Sequence, residues 1–159
     1  MHCYCDDRGR SFMSVFDHLA ELPGQVNASV MYAGAVKAWH RHARQDDHWV
    51  ALAGDLKVGL FNTGPSALVA ELRLAGSLPG AERVVPIEIA PGKGGEVYLG
   101  EHQPGVLRIP VGLWHGGVAV GGRDALLLYY VTRKYDAQQP DEEREGWDKF
   151  PFLWTAQFK

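Results

Sequence analysis

Glycine and proline divide this chain at intervals too short for long helices. Its 159 residues include 19 glycines and 9 prolines. Short runs rich in β-branched and aromatic residues lie between them, at 11–16, 27–32, 48–53, 57–61, 84–89, 106–109, 117–120 and 125–132. Runs of this length bounded by turn residues are typical of antiparallel strands. We therefore predict an all-β fold, a single antiparallel β-barrel or a double-sheet jelly roll.

Local signals refine this prediction at a few places. Gly54 and Asp55 predict a tight turn between two antiparallel strands. Weak helix signals occur only at 18–22 and 67–74, and the glycine-rich stretch 92–95 is interpreted as a turn. Segment 136–145 is strongly polar and is expected to be an exposed loop.

No repeat, low-complexity tract or linker divides the sequence, so residues 1–159 are predicted to form one domain. An N-terminal arm covers residues 1–12 and an aromatic tail covers residues 147–159. Because the tail concentrates tryptophan and phenylalanine, we expect it to pack on its own barrel or on a partner subunit.

Charge and cysteine content limit the possible partners and compartment. The formal net charge of −3 argues against bulk electrostatic binding to nucleic acid or to an anionic membrane. An anionic small molecule stays possible, because a pocket needs only a local group of cations. Cys3 and Cys5 are too close to the N-terminus to staple the domain, and no apolar stretch reaches membrane-spanning length. We expect a cytoplasmic protein.

Histidines occur in two patterned segments. The first has Gly34, then His40-Arg41-His42, then Asp47 and Gly54, and the second reads Pro-Val-Gly-Leu-Trp-His at 110–115. Residues two apart on a strand share a face, so His40 and His42 point the same way, either into the barrel or to solvent on its outer face.

Inside a barrel, such a group of side chains has two possible uses. His40, His42, Asp47 and His115 could ligate a divalent transition metal such as Fe, Mn, Ni or Zn. Alternatively, one histidine acts as a general base and a tyrosine across the barrel acts as the acid. The turn before His115 is expected to direct that side chain to the mouth of the cavity.

The two histidine segments resemble the two sequence motifs of the cupin superfamily, with Asp47 where a glutamate is usual. Within that superfamily, the chain is most similar to the dTDP-4-dehydrorhamnose 3,5-epimerases and their smaller sugar-nucleotide epimerase relatives, which use no metal. His40 lies where that family has the histidine that removes the proton beside the ketone. Tyr129, in Leu-Tyr-Tyr-Val-Thr at 128–132, lies where it has the acid.

The resemblance also implies residues that bind the substrate. Arg8 and Phe12 match the N-terminal arm, which in the family crosses to a neighbouring subunit, so a homodimer is expected. The other candidates for substrate binding are Lys37, His42, Arg108, His115 and Tyr135.

Two features depart from the family pattern. Lys37 lies three residues before His40, so regular alternation places it on the opposite face unless a bulge intervenes. The family's aspartate that orients the catalytic histidine has no match here, which leaves Asp46, Asp47 and Asp148 as candidates.

The resemblance implies an isomerase that epimerises a 4-keto-6-deoxy sugar linked to a nucleoside diphosphate, without a cofactor. Two alternatives stay open. One is a metal-dependent cupin enzyme, a dioxygenase or sugar isomerase, and the other is a non-catalytic sugar-binding cupin.

Overall fold

A computed structural model describes residues 2–13, 23–75 and 83–155. These residues form thirteen strands, namely β1 (His2–Asp6), β2 (Gly9–Met13), β3 (Gln25–Met31), β4 (Val36–Arg41), β5 (Asp47–Ala53), β6 (Asp55–Phe61), β7 (Leu68–Leu74), β8 (Arg83–Ile89), β9 (Gly94–Gly100), β10 (Gly105–Ile109), β11 (Trp114–Val120), β12 (Ala125–Val131) and β13 (Glu143–Arg144). Within the described ranges there is no helix long and apolar enough to cross a membrane.

The strands make two antiparallel sheets. The large sheet has eight strands in the order β1-β2-β3-β12-β5-β10-β7-β8, and the small sheet has five in the order β13-β4-β11-β6-β9. This arrangement confirms the predicted all-β, double-sheet architecture of the cupin type. The two sheets face each other as a sandwich and do not close into a continuous barrel.

Two local predictions are wrong. Residues 68–74 form strand β7 rather than a helix, because Ala70 and Leu72 are buried between the sheets while the alternate residues Val69, Glu71 and Arg73 point outward. Gly54 does not close a hairpin, since β5 belongs to the large sheet and β6 to the small one. It forms the corner where the chain crosses between sheets, with a φ of 68°. The weak helix signal at 18–22 lies outside the described residues.

The main core fills the space between the sheets. Its fully buried members include Leu56, Val58 and Leu60, which alternate along β6 and point inward. The neighbouring residue Gly59 points outward, where a β-carbon would lie 2.9 Å from the ring of Trp39 and 2.8 Å from that of Trp154. Glycine at this position therefore makes room for a second, aromatic core.

That second core is the aromatic tail, which packs on the outer face of the small sheet of its own chain. Trp39 of β4 contacts Phe150, Phe152 and Trp154, with ring centroids 5.4, 5.5 and 4.8 Å away. The indole nitrogens of Trp39 and Trp154 both donate to the carbonyl of Trp147. Of the two expected locations for the tail, the structure shows the first.

Replacing Trp154 tests this packing. Trp154 is 5% exposed whereas the Trp147 side chain is 60% exposed. We expect Trp154→Ala to lower the free energy of unfolding by about 3–5 kcal/mol. Trp147→Ala keeps the carbonyl that both indoles use and should cost less than about 1 kcal/mol. Urea denaturation of both variants measures the difference, and equal losses would contradict the assignment of Trp154 to the core.

Candidate active site

A cavity of about 1010 Å³ opens between the two sheets. Its walls are the inward faces of β3, β5 and β12 from the large sheet, β4 from the small sheet, and the segment 133–145. Segment 136–145 is mostly exposed, as expected, with the short strand β13 within it, and it also supplies Asp136, Gln139 and Glu142 to the wall. Small-molecule pockets commonly have volumes of ~300–1,000 Å³, so this cavity is large enough for a small-molecule ligand.

A bulge in β4 brings Lys37 to the cavity. His40 pairs with His115 and Lys37 pairs with Gly117, so two residues of β4 between these pairs lie opposite one residue of β11. The extra residue cancels the expected change of face, and Lys37 and His40 both line the cavity. Gly116 lies opposite the bulge, where a β-carbon would come within 2.6 Å of the carbonyl oxygen of Lys37.

Three imidazoles and one carboxylate gather at the inner end of the cavity. The ring centroids of His40 and His115 are 4.1 Å apart, and the ring centroid of His42 lies 5.7 Å from each of them. The donor atoms of His40, His42, Asp47 and His115 all lie within 4.8 Å of one another. The structure thus brings together the four residues that the two motifs predicted.

Backbone carbonyls set the orientation of two of these rings. His115 Nδ1 lies 2.9 Å from the carbonyl oxygen of Leu113, and His42 Nδ1 lies 2.6 Å from that of Asp141. A carbonyl only accepts hydrogen bonds, so both rings carry a proton on Nδ1. Their Nε2 atoms then face Asp47, at 3.7 Å for His42 and 3.5 Å for His115.

The Asp47 carboxylate is itself held from the side. Trp49 Nε1 donates to Asp47 Oδ2 at 3.1 Å, and Gln45 Nε2 donates to Oδ1 at 3.2 Å. Of the three aspartates considered as partners for His40, only Asp47 belongs to the histidine cluster. Asp46 accepts from Arg108 outside the cavity, and Asp148 is exposed.

Burial and charge shift the proton affinity of the cluster. Burial lowers the pKa of His40 well below the ordinary histidine value, and His115 lowers it further, against an opposing contribution from Asp47. Burial alone would raise the pKa of Asp47. Its interactions with His115 and the other two imidazoles outweigh this effect, so its pKa is lowered. At neutral pH His40 is therefore a neutral imidazole beside a carboxylate.

Tyr129 reaches the cavity from the opposite sheet. Along β12 the residues 127, 129 and 131 line the cavity, while Tyr130 points outward and contacts His48. This alternation assigns the inward position to Tyr129. Trp49 lies between Tyr129 and His40, with ring centroids 6.4 and 6.0 Å away. Burial raises the pKa of Tyr129, and Asp47 and Glu142 raise it further, so its hydroxyl stays protonated.

The remaining predicted residues are spread more widely. Arg8 lies in the turn between β1 and β2 and lines the cavity of its own chain, and Tyr135 lies at the rim with 59% exposure. Phe12 pairs through its backbone with Ala28 of β3, and its side chain is outside the described part of the structure. His115 is 2% exposed and lies behind the cavity wall, so its expected place at the mouth is wrong.

Arg108 is a second correction. Its neighbours on β10, Leu107 and Ile109, are buried between the sheets, so Arg108 points to the outer face of the large sheet. There it pairs with Asp46 at 2.8 Å and with Glu71 at 3.4 Å. It does not line the cavity.

Sequence reasoning missed a polar row on β3. Gln25, Asn27 and Ser29 point into the cavity wall, and none is more than 5% exposed. Gln25 donates to Asn27 at 2.8 Å, and Lys37 donates to Ser29 Oγ at 2.9 Å. The signal was present in the sequence, because polar and apolar residues alternate strictly from 25 to 30. The alternation alone does not determine whether the polar or the apolar set faces inward.

Fold and site together define a cupin-type protein with a cluster of three histidines and one carboxylate at the cavity and a tyrosine that faces it. No protein-family model matches the chain. It is 32% identical over 160 residues to the spore coat polysaccharide biosynthesis protein SpsL of Bacillus subtilis (strain 168), covering 98% of this chain and 92% of SpsL. It is 33% identical over 147 residues to the probable low-salt glycan biosynthesis epimerase Agl13 of Haloferax volcanii, covering 90% of this chain and 81% of Agl13.

The chain belongs to the family of sugar epimerases that contains SpsL and Agl13. This membership confirms the predicted enzyme class, that of a sugar epimerase. Among solved structures, the dTDP sugar isomerase of Desulfovibrio desulfuricans G20 matches with a TM-score of 0.62 at 21% identity, covering 96% of this chain and 86% of that one. That match supports the fold.

The lowered pKa of His40 predicts acid sensitivity. Below about pH 6.5 the unfolded chain binds a proton at His40 that the folded chain does not. As the pH is lowered, the free energy of unfolding should therefore decrease, by up to ~1.4 kcal/mol per pH unit from this residue, until the pH reaches the pKa of His40 in the folded chain. Denaturation of chelator-treated protein at pH 7.5, 6.5 and 5.5 measures the slope.

Two variants assign this slope. His40→Gln should flatten it, although His42, His115, Asp47 and Arg144 also act on the site. Leu153→Gln alters a non-titrating side chain that is 46% exposed and lies outside the cluster, so it should leave the slope unchanged. Equal effects of both variants would contradict the assignment.

Proposed function

We propose that this enzyme epimerises a 4-keto-6-deoxy sugar linked to a nucleoside diphosphate, with His40 as general base and Tyr129 as general acid. One observation carries the proposal. A neutral imidazole on the small sheet and a protonated phenol on the large sheet reach one cavity from opposite sides. Inversion at carbon needs a proton removed from one face and another delivered to the opposite face.

In the first step, His40 takes the proton from the carbon beside the ketone. Its lowered pKa keeps the imidazole in the basic form at neutral pH. The electron pair of the broken C–H bond moves into the enolate, whose oxygen needs a positive or donor group. Lys37 is suited to this role, because the bulge places it on the face of His40 and Ser29 holds its ammonium group.

In the second step, Tyr129 delivers a proton to the other face of the same carbon. The electron pair of the enolate forms the new C–H bond and the ketone is restored. Tyr129 is left as a tyrosinate and regains a proton from solvent, and His40 releases its proton to solvent. The substrate and product are therefore isomers, and no oxidant or reductant is consumed.

His40→Asn and Tyr129→Phe should separate these two steps. In deuterated water, we expect His40→Asn to abolish exchange of the acidic hydrogen and to lower turnover by ~10²–10⁴-fold. Tyr129→Phe should lower epimerisation by a similar factor while exchange at the original face continues. Mass spectrometry and NMR of a dTDP-4-keto-6-deoxyhexose measure both. Loss of exchange in Tyr129→Phe, or its survival in His40→Asn, would contradict these roles.

The histidine cluster favours a second candidate function, a metal-assisted sugar isomerase. His40, His42, Asp47 and His115 have a suitable donor set, and their donor atoms lie close together. Carbonyls fix the Nδ1–H form of two of the rings, as is usual for metal-bound histidine. His115 Nε2 is buried without a hydrogen-bond partner, which a metal would supply. A bound divalent metal would polarise the ketone of the sugar.

Metal analysis distinguishes the two candidates within the same experiment. If His40 is the base, the protein treated with a chelator should keep its exchange activity, and His42→Ala should lower the exchange rate less than His40→Asn. Three results together would favour the metal enzyme. The protein would contain stoichiometric transition metal, a chelator would abolish its activity, and variants of His40, His42 and His115 would lose equal activity.

The substrate's diphosphate should be bound at the mouth of the cavity. Arg8, Arg133 and Lys134 line it there, with Lys37 deeper inside, so several cations face one cavity that also holds the carboxylates of Asp136 and Glu142. We expect Arg133→Ala to weaken dTDP binding about tenfold, in a salt-dependent manner. Arg108→Ala, on the outer face, should change it less than twofold. Calorimetry of both variants at two salt concentrations is the measurement, and equal losses would contradict this site.

The names of the relatives suggest a biological setting. SpsL is named for spore coat polysaccharide biosynthesis and Agl13 for glycan biosynthesis. We propose that this enzyme prepares an activated sugar for a comparable polymer. We also propose the cytoplasm as its compartment, since the two cysteines form no disulfide framework.

A further inference from the structure

The two-residue strand β13 extends the small sheet beside the strand that carries His40. In the register of β13 with β4, Arg144 lies directly opposite His40. Trp39 and Glu145, the next pair along, exchange both of their backbone hydrogen bonds at 3.0 Å. Because the two kinds of pair alternate along an antiparallel ladder, His40 and Arg144 form a non-hydrogen-bonded pair, the kind whose side chains lie closer together. The Arg144 side chain therefore starts next to the imidazole of the proposed base.

Two arginine–glutamate pairs on these strands mark the two faces of the small sheet. Arg41 donates to Glu143 at 2.7 Å and lies over the ring of Trp114, which belongs to the aromatic core on the outer face. Arg144 donates to Glu142 at 2.8 Å, and both of these side chains line the cavity. Alternation along the strands thus gives one ion pair to the outer face and the other to the cavity.

The turn that follows β4 holds the segment that carries the inner pair. The carboxylate of Asp141 accepts hydrogen bonds from the backbone N–H groups of Ala43 and Arg44, at 3.1 and 2.9 Å. The carbonyl oxygen of Asp141 lies 2.6 Å from Nδ1 of His42. Asp141 and the β13 ladder therefore attach this segment to β4 at two places, which keeps the ion pair at the cavity.

Arg144 can bind a ligand without giving up its carboxylate partner. A guanidinium has five N–H donors in a planar fork, and Glu142 accepts from Nη2. The Arg144 side chain is 69% exposed, whereas that of Glu142 is 26% exposed. A guanidinium supported by one carboxylate in this way is suited to donate a second, charge-assisted hydrogen bond to an oxygen atom in the cavity.

The charge of Arg144 acts on both groups that move protons. Burial is the main cause of the lowered pKa of His40, and Arg144 lowers it further. Burial raises the pKa of Tyr129, and Arg144 opposes that rise. Both effects have the direction that a nearby positive charge produces. The guanidinium thus interacts with the base on one sheet and with the acid on the other.

On the basis of the epimerase function proposed above, we propose that Arg144 is a catalytic residue that donates a hydrogen bond to the ketone oxygen of the sugar, with Glu142 as its positioning residue. As His40 takes the proton, the electron pair of the C–H bond moves onto this oxygen. Arg144 stabilises the resulting charge and keeps its own proton. Lys37 and Arg144 flank His40, one along β4 and one across the ladder, so the enolate oxygen has two cationic donors.

The position of Arg144 separates this role from binding of the diphosphate. The residues assigned above to the diphosphate, Arg8, Arg133 and Lys134, line the mouth of the cavity. Arg144 lies beside His40 instead. A diphosphate bound at Arg144 would place phosphate rather than the sugar next to the base, and the carbon beside the ketone would be out of its reach.

Kinetics of neighbouring glutamine variants test the proposal with dTDP-4-keto-6-deoxyhexose as substrate. We expect Arg144→Gln to lower kcat for epimerisation and for deuterium exchange by ~10²-fold. Affinity for dTDP, which has no ketone, should stay within about twofold of wild type. Glu142→Gln keeps the guanidinium but loosens it, so kcat should fall about tenfold. Glu143→Gln is the matched control, because this carboxylate pairs with Arg41 on the outer face and should leave kcat unchanged.

Chemical rescue distinguishes a catalytic guanidinium from a structural one. The 69% exposure of Arg144 means that its removal opens a space that solvent can reach. Guanidinium ion, at a concentration too low to unfold the protein, should therefore raise the exchange rate of Arg144→Ala. Urea, which is planar but uncharged, should not raise it.

The outcomes separate this proposal from the epimerase function on which it rests. An active wild type with full exchange in Arg144→Gln, or with a loss confined to dTDP affinity, would overturn the role of Arg144 alone. Equal losses in Glu142→Gln and Glu143→Gln, with no rescue by guanidinium, would also overturn it. A wild type that neither epimerises nor exchanges this substrate would overturn both proposals.

Discussion

The active site depends on one buried carboxylate. Asp47 lies between the Nε2 atoms of His42 and His115, and Trp49 and Gln45 hold its oxygens from the other side. A charge buried this deeply is tolerated only where hydrogen bonds and opposite charge compensate for lost solvent. The Trp49 indole and the Gln45 amide donate the hydrogen bonds, and interaction with the three imidazoles lowers the pKa of the carboxyl. The strands that carry these groups must keep their register for this arrangement to persist. Asp47 therefore links the histidine cluster to the packing of both sheets.

The bulge in β4 is the second requirement, because it decides which side chains share the cavity with His40. A regular strand would turn Lys37 away, whereas the extra residue returns it to the cavity and leaves Trp39 outward, under the aromatic tail. Gly116 and Gly59 make this possible, one opposite the bulge and the other beneath the indole rings. A local irregularity of one strand thus places Lys37 and His40 on the cavity face and Trp39 in the aromatic core.

The sequence allowed the fold class and the histidine cluster to be predicted, since both rest on short-range patterns. The structure brings His40, His42 and Asp47 into one cluster, as their spacing predicted. Tyr129 rather than Tyr130 lines the cavity. Features that depend on how strands pair could not be predicted in this way. Gly54 looks like a hairpin turn whether its flanking strands join one sheet or two, and Arg108 looks available until the burial of its neighbours directs it outward.

The same geometry explains why base catalysis and metal binding compete at this site. Carbonyl contacts hold His42 and His115 with their Nε2 atoms toward Asp47, so these two rings are committed to the carboxylate or to a cation beside it. His40 differs, because it lines the open cavity, stacks near Trp49 and has its pKa lowered by burial. The free lone pair of its neutral ring can accept a proton from a sugar in the cavity. A metal bound to His40 would occupy the same lone pair. Whether the lone pair of His40 is free or bound to a metal therefore distinguishes the two proposed functions.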